Sequence, residues 1–238
     1  MRKYNLYRTR SARRPVPGMT RAFSPVAALV ALALAGGSPG PAAAQRPVHG
    51  RLFPPEELGL LEGPDRDAWQ KPEQIMDALG IADGNVVADL GAGGGWFTIR
   101  LARRVGPNGR VYAEDIQPQM IESISRRVQR EGLPNVTTVL GTPSDPRLPP
   151  GQVDAVLIVD TYSEMEDPVA LLRNVRQALS PKGRIGIVDF TLEGGGPGPR
   201  LDERVDAERV IRDAEAAGLH LVKRETFLRY QYLLIFGR

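Results

Sequence analysis

The stretch VVADLGAGGGWFTIRLA, residues 86–102, decides the fold. An apolar run carrying one acid, Asp89, gives way to the turn Gly91-Ala92-Gly93-Gly94-Gly95 and then to residues with helical spacing. Strand, glycine turn and helix in that order belong to an open α/β sheet, where ligands bind beyond the carboxyl ends of the strands. Two phosphate-binding readings of the turn fail. A nucleoside-triphosphate loop needs G-x-x-x-x-G-K-[ST], and the turn has no Lys-Ser or Lys-Thr. A dinucleotide fingerprint, G-x-G-x-x-G, requires its third glycine at the position occupied by Trp96.

The sequence has G-x-G-x-G instead, directly after Asp89-Leu90. An acid beside the turn suits a cationic ligand better than one with two negative phosphates. S-adenosylmethionine has an ammonium, a sulfonium and no phosphate, and its carboxylate can accept from free amides at the helix start. Further on, VYAEDIQPQM (111–120) closes its strand with Glu114-Asp115. A carboxylate there has two acceptor oxygens for the two hydroxyls of a ribose, a feature shared with NAD-binding proteins. Asp115, the last strand residue, is the first candidate; Glu114 is the weaker one.

Outward from this unit, helix and strand signals alternate. KPEQIMDALGI (71–81) reads as a helix, with Pro72 at a first helical position. Strands follow at 85–90, 109–115, 135–141, 153–160 and 184–190, separated by helices at 96–105, 117–132 and 167–183. A last helix, DAERVIRDAEAAG (206–218), precedes a terminal strand pair, LHLVKRETF and YQYLLIFG. Strands that are nearly all apolar, with helices between them, predict a parallel sheet covered on both faces. The last two strands have no helix between them, so they pair antiparallel.

Four segments together, VVADLGAGGGWFT, GRVYAEDIQPQMI, VDAVLIVDTYSEMEDP and LSPKGRIGIVDF, resemble the class I S-adenosylmethionine-dependent methyltransferases in order and spacing. The resemblance covers roughly residues 70–238 and implies a Rossmann-like, doubly wound, seven-stranded sheet, mostly parallel with the last strand antiparallel. It implies that Asp89, Gly91, Ala92, Gly93 and Gly95 line the methionine end of the cofactor and that Asp115 holds the ribose. Ile116 flanks the adenine on the same basis, and Thr142 and Asp160 complete the cofactor set. The chain departs from the pattern twice. LGTPSDPRLP (140–149) has Thr142 where many members carry an acid for the adenine amine, which leaves Asp145 or a backbone carbonyl to take that contact. Tyr162-Ser163-Glu164 stands where relatives often read Tyr-His-Glu, so a histidine base is missing.

Methyl transfer from a sulfonium has an excellent leaving group, so holding the acceptor in line supplies most of the acceleration. A general base is needed only if the acceptor must lose a proton. The loop DTYSEMEDP (160–168) faces the position of the acceptor, which makes Asp160 and Tyr162 the catalytic candidates and Glu164 a secondary one. Glu166 and Asp167 read better as the acidic start of a helix. Trp69, in RDAWQKP (66–72), is either core or lid.

Residues 1–44 hold seven basic residues and no acid, then the apolar run Val26 to Ala35 and Ala42-Ala43-Ala44 before Gln45. Those are the parts of a secretory signal peptide, with Met19 an alternative start. The expected organisation is a signal peptide at 1–44, an irregular arm at 45–70 and a methyltransferase domain at 71–238. The expected location is periplasmic or extracellular, with the cytoplasm as the alternative. The net charge of +3 belongs to the leader: without it, 24 basic residues face 28 acidic ones. Nucleic-acid binding is therefore not expected. The chain has no cysteine and two histidines, so neither disulfides nor a metal site is expected. The apolar run is too short for a permanent membrane span. The function expected is methyl transfer to a small molecule, the alternative being an exported binding protein that kept the fold without the chemistry.

Overall fold

The computed structural model describes residues 52–238. The signal-peptide reading, its cleavage site and residues 45–51 of the arm lie outside the described residues. Seven strands form one sheet: β1 (Val86–Leu90), β2 (Arg110–Asp115), β3 (Val136–Leu140), β4 (Val153–Val159), β5 (Leu179–Phe190), β6 (His220–Glu225) and β7 (Gln231–Gly237). Their order is β3-β2-β1-β4-β5-β7-β6. Neighbours from β3 through β5 are parallel, and β7 runs antiparallel to both β5 and β6. The strand order reverses between β1 and β4, and a crevice opens there at the carboxyl ends.

Among the described residues, six α-helices accompany the sheet: α1 (Arg66–Gln70), α2 (Pro72–Ala78), α3 (Trp96–Val105), α4 (Pro118–Glu131), α5 (Pro168–Ala178) and α6 (Ala207–Ala216). Alternation along each strand sends side chains to opposite faces. On one face Ala88, Leu90, Ile158 and Ile187 pack with Leu172 and Val175 of α5 and Val210 of α6. On the other, Val87, Val111, Leu157 and Leu233 pack with Ile75 and Met76 of α2 and with Leu101 and Val105 of α3. Both faces are thus closed by apolar burial, which explains why the central strands read as continuous apolar runs. Among the described residues, no helix is long and apolar enough to cross a membrane.

Two expectations change. The helix read over 167–183 ends at Ala178, and Ser180-Pro181-Lys182-Gly183 already belongs to β5. Pro181 removes an amide donor and drives the residue before it to extended backbone, so the helix stops early. The arm read as irregular contains a 3₁₀ helix, Pro55–Leu61, followed by α1. The glutamate-rich start, with Pro55 in its first turn, supplies a helix beginning.

Candidate active site

The glycine turn sits at the end of β1, and its backbone requires glycine where it bends. Gly91 has φ 71°, and a Cβ there would meet Thr161 Cγ2 at 2.3 Å. Gly93 and Gly95 are also left-handed, with φ 55° and 79°. Gly95 caps α3 without a side chain of its own, and Asp89 takes the Thr98 amide of the first turn. The chain thereby approaches a cavity with backbone alone. Asp89, Gly91, Ala92, Gly93, Asp115, Ile116, Thr142 and Asp160 all line that cavity; Gly95 lies just behind them, against Ile124.

The acids of the cavity are held in different ways. Asp89 is buried, and the Thr98 hydroxyl donates to its Oδ2 at 2.6 Å. Burial pushes its carboxyl up to about 6, with Thr98 and Arg66 acting against the rise. Asp115 accepts from Gly93 N–H at 3.0 Å and Gln117 N–H at 2.9 Å, one on each oxygen. Burial raises its pKa against those bonds. The Ile116 amide adds a third bond, which leaves the carboxylate room for a further donor. Glu114, the weaker sequence candidate, is also a buried residue of the wall, and burial together with Asp115 lifts it to about 8.

The loop after β4 corrects the catalytic candidates. Tyr162 is absent from the cavity wall and buried in the core, where its hydroxyl donates to Asp213 Oδ2 at 3.0 Å. Burial and Asp213 raise its pKa far above the ordinary value, the wrong direction for a base. The 3₁₀ turn Tyr162–Glu164 rotates it inward and turns its neighbours Thr161 and Glu164 outward. Asp160 reaches the wall in a left-handed conformation, φ 54°. Gln70 and Gln231 side chains donate to its two oxygens, and Arg66 lies 3.6 Å away. Its carboxylate therefore ties α1 to the sheet end. Glu164, the secondary candidate, faces the cavity with burial raising it to about 7. Asp167 does cap α5, accepting from Ala170 N–H.

Sequence reasoning missed the cover of the cavity. Leu58, Leu61 and Glu62 of the arm lie over the glycine turn, within 4 Å of a Cβ built on Gly93 or Gly94. Phe53 bridges the mouth: its N–H donates to Glu164 Oε2, and its carbonyl accepts from Gln117 Nε2 at 3.1 Å. Glu62 pairs with Arg127, and Arg66 with Asp160. The one signal available was the apolar set Leu52, Phe53, Leu58, Leu60 and Leu61 in a proline- and glutamate-containing segment. Trp69 is not the lid; it packs on Phe190, ring centroids 5.9 Å apart. Trp96 lines the cavity, with the guanidinium groups of Arg66 and Arg100 stacked on its ring at 4.2 and 3.5 Å.

A methyltransferase-domain family model matches residues 87–183. The chain is 32% identical over 130 residues to nocamycin O-methyltransferase of Saccharothrix syringae, covering 55% of this chain and 45% of that protein. It is 30% identical over 119 residues to the 2-phytyl-1,4-naphtoquinone methyltransferase of Trichormus variabilis, covering 50% of this chain and 52% of the relative. A solved S-adenosylmethionine-dependent methyltransferase from Aquifex aeolicus superposes with a TM-score of 0.74 at 26% identity, over 78% of this chain and 98% of that one. Residues 87–183 form a methyltransferase domain, and the chain is similar in sequence and fold to S-adenosylmethionine-dependent methyltransferases. It spans about half the length of the two curated relatives.

The residues present fit the cofactor of this family. A cationic sulfonium and ammonium suit a wall with Asp89 and Asp115, and the remaining amides of the glycine turn and the start of α3 suit a carboxylate. In the same wall Glu114 Oε1 is a buried acceptor without a hydrogen-bond partner. These relationships favour a methyltransferase over a binding protein without chemistry.

Proposed function

We propose that this methyltransferase transfers the methyl group of S-adenosylmethionine to a small-molecule acceptor held between the arm and the loop after β4. The cofactor supplies an electrophilic methyl group with a neutral thioether as leaving group. In this reading Asp115 accepts from the ribose hydroxyls, Ile116 packs on the adenine, and the Gly91–Gly95 turn and α3 amides receive the methionine end. Asp160 positions Arg66 and α1. Glu164 is the carboxylate that takes a proton if the acceptor must lose one. Leu52, Phe53, Leu58 and Leu61 exclude water from the reacting groups and give the acceptor an apolar surroundings.

The observation that carries the reading is the glycine turn opening on a cavity whose far wall is Asp115. Calorimetry with S-adenosylhomocysteine tests it. Asp115→Ala removes acceptors for two hydroxyls, each such bond being worth about 1.5–3 kcal/mol, so affinity should fall at least tenfold. Unchanged affinity with an intact fold removes Asp115 from the role. An untargeted metabolite screen with labelled cofactor identifies the acceptor. The leader reading adds that the protein acts outside the cytosol; an amino terminus at Gln45 in the host supports this, and one at Met1 or Met19 on soluble protein refutes it.

A further inference from the structure

Glu114 is the penultimate residue of β2 and only 2% exposed. Its Oε2 accepts from Gly91 N–H at 3.4 Å, while Oε1 is buried without any hydrogen-bond partner. Such an atom is costly, and native structures seldom keep one without a use. The other buried carboxylate oxygen without a partner among the described residues, Asp189 Oδ2, is not on the cavity wall; Glu114 is.

The direction of the side chain is informative. Glu114 pairs in register with Val139 of β3, and its carboxylate extends to the end of that strand. A Cβ built on Gly141 would lie 1.8 Å from Oε1 and 2.9 Å from Cδ. The carboxylate thus fills the space that a side chain at 141 would take, and the glycine is the opening that admits it. Next door, Thr142 is committed to its own loop: its hydroxyl accepts from Asp145 N–H at 3.0 Å and donates to the Asp145 carbonyl. Asp145 in turn accepts from Arg147 N–H.

We propose that Glu114 Oε1 accepts a hydrogen bond from the exocyclic amine of the adenine, a contact delivered from β2 through the gap at Gly141. The proposal rests on the S-adenosylmethionine reading of the cavity. The adenosine end offers two kinds of donor, ribose hydroxyls and that amine. Asp115 emerges on the opposite face of β2, where the glycine turn and the Gln117 amide hold its carboxylate toward the hydroxyls. Glu114, at the β3 end beside Thr142 and Pro143 of the wall, is left for the amine.

Calorimetry with S-adenosylhomocysteine and S-inosylhomocysteine, in which a carbonyl replaces the amine, tests this without turnover. The wild-type chain should prefer the adenosine compound at least tenfold. Glu114→Ala should weaken S-adenosylhomocysteine by a similar factor and bring the ratio of the two ligands close to one. Gly141→Ala, whose methyl displaces the carboxylate, should do the same, with melting curves of the free variants verifying that each is folded. A wild-type chain that binds both ligands equally, or a folded variant that keeps the wild-type preference, overturns the proposal and leaves the cofactor reading standing. A wild-type chain that binds neither removes the cofactor reading itself. If Glu114→Ala does not fold, the wild-type ratio and Gly141→Ala decide.

Discussion

The amide of Phe53 donates to Glu164 Oε2 at 2.9 Å, joining two residues 111 positions apart across the mouth of the cavity. With the Gln117 contact on the other side of Phe53, this makes residues 52–62 a strap between the ends of β2 and β4. A segment of that kind is held by few bonds and little buried apolar surface, so it opens at low cost. Glu164→Ala should loosen it. Limited proteolysis is expected to cut within 52–62 several times faster in the variant, and saturating S-adenosylhomocysteine should slow the cut less than in the wild-type chain. Equal cleavage rates would show that Glu164 does not fasten the strap.

Tyr162 has its hydroxyl on Asp213, in the core and away from the cavity. Tyr162→Phe should therefore cost stability, about 1–3 kcal/mol for a bond to a charged partner. Binding of S-adenosylhomocysteine should not change. Loss of affinity without loss of stability would restore Tyr162 to the site.

Gly91 combines a left-handed backbone with Thr161 packed against it. Gly91→Ala adds a strain of roughly 1–3 kcal/mol from the backbone before any clash is counted. A methyl at 2.3 Å from Thr161 Cγ2 must also push the loop after β4 away from the turn. The melting temperature and cofactor affinity should both fall. An Ala variant that binds normally would mean that the turn can reshape without cost.

Six buried or half-buried carboxyls have raised pKa values: Asp115 is raised, Asp89 and Asp160 rise to about 6, Glu164 to about 7, and Glu114 and Asp189 to about 8. Burial is the first cause in each. Arg66, itself lowered by burial, opposes the rise at Asp160, whereas Asp160 adds to it at Asp189. Because the folded chain holds protons that the unfolded chain releases near pH 4, stability is full below that pH and declines as these groups ionise between pH 4 and 8. At about 2–4 °C per kcal/mol for a chain of this size, the melting temperature of the free protein should drop by at least about 5 °C from pH 5 to pH 8. Binding of the cationic cofactor should show the opposite trend, tightening as the wall ionises. A melting temperature that climbs over this interval would contradict the burial of these groups as charged species.

The sheet was legible because each strand is an apolar run and each turn has its glycine; even the terminal antiparallel pair follows from the missing helix after Glu225. That Gly91, Gly93 and Asp115 meet at one cavity was legible for a similar local reason, since the turn closes β1 and Asp115 closes the neighbouring β2. The inward rotation of Tyr162 was not, because a single 3₁₀ turn decides it and no periodicity reports it. Nor was the strap: its contacts lie far from it in sequence, and Leu58 and Leu61 read alone as stray apolar residues. The burial of Glu114 was not legible either, because alternation speaks only of the strand it sits on, whereas its surroundings are made by Gly141 of the next one.

Trp96 stands where a dinucleotide turn would need glycine, and it is one of only two tryptophans in the chain. It lines the cavity beneath two arginines, while the other, Trp69, rests on Phe190 away from the wall. The molecule therefore carries an optical gauge at its own binding site. Any ligand that shifts Arg66 changes the quenching of one indole against the steady background of the other. A Trp69→Phe chain would isolate that signal, so that ligand arrival could be timed by intrinsic emission, with no label and before the acceptor is known.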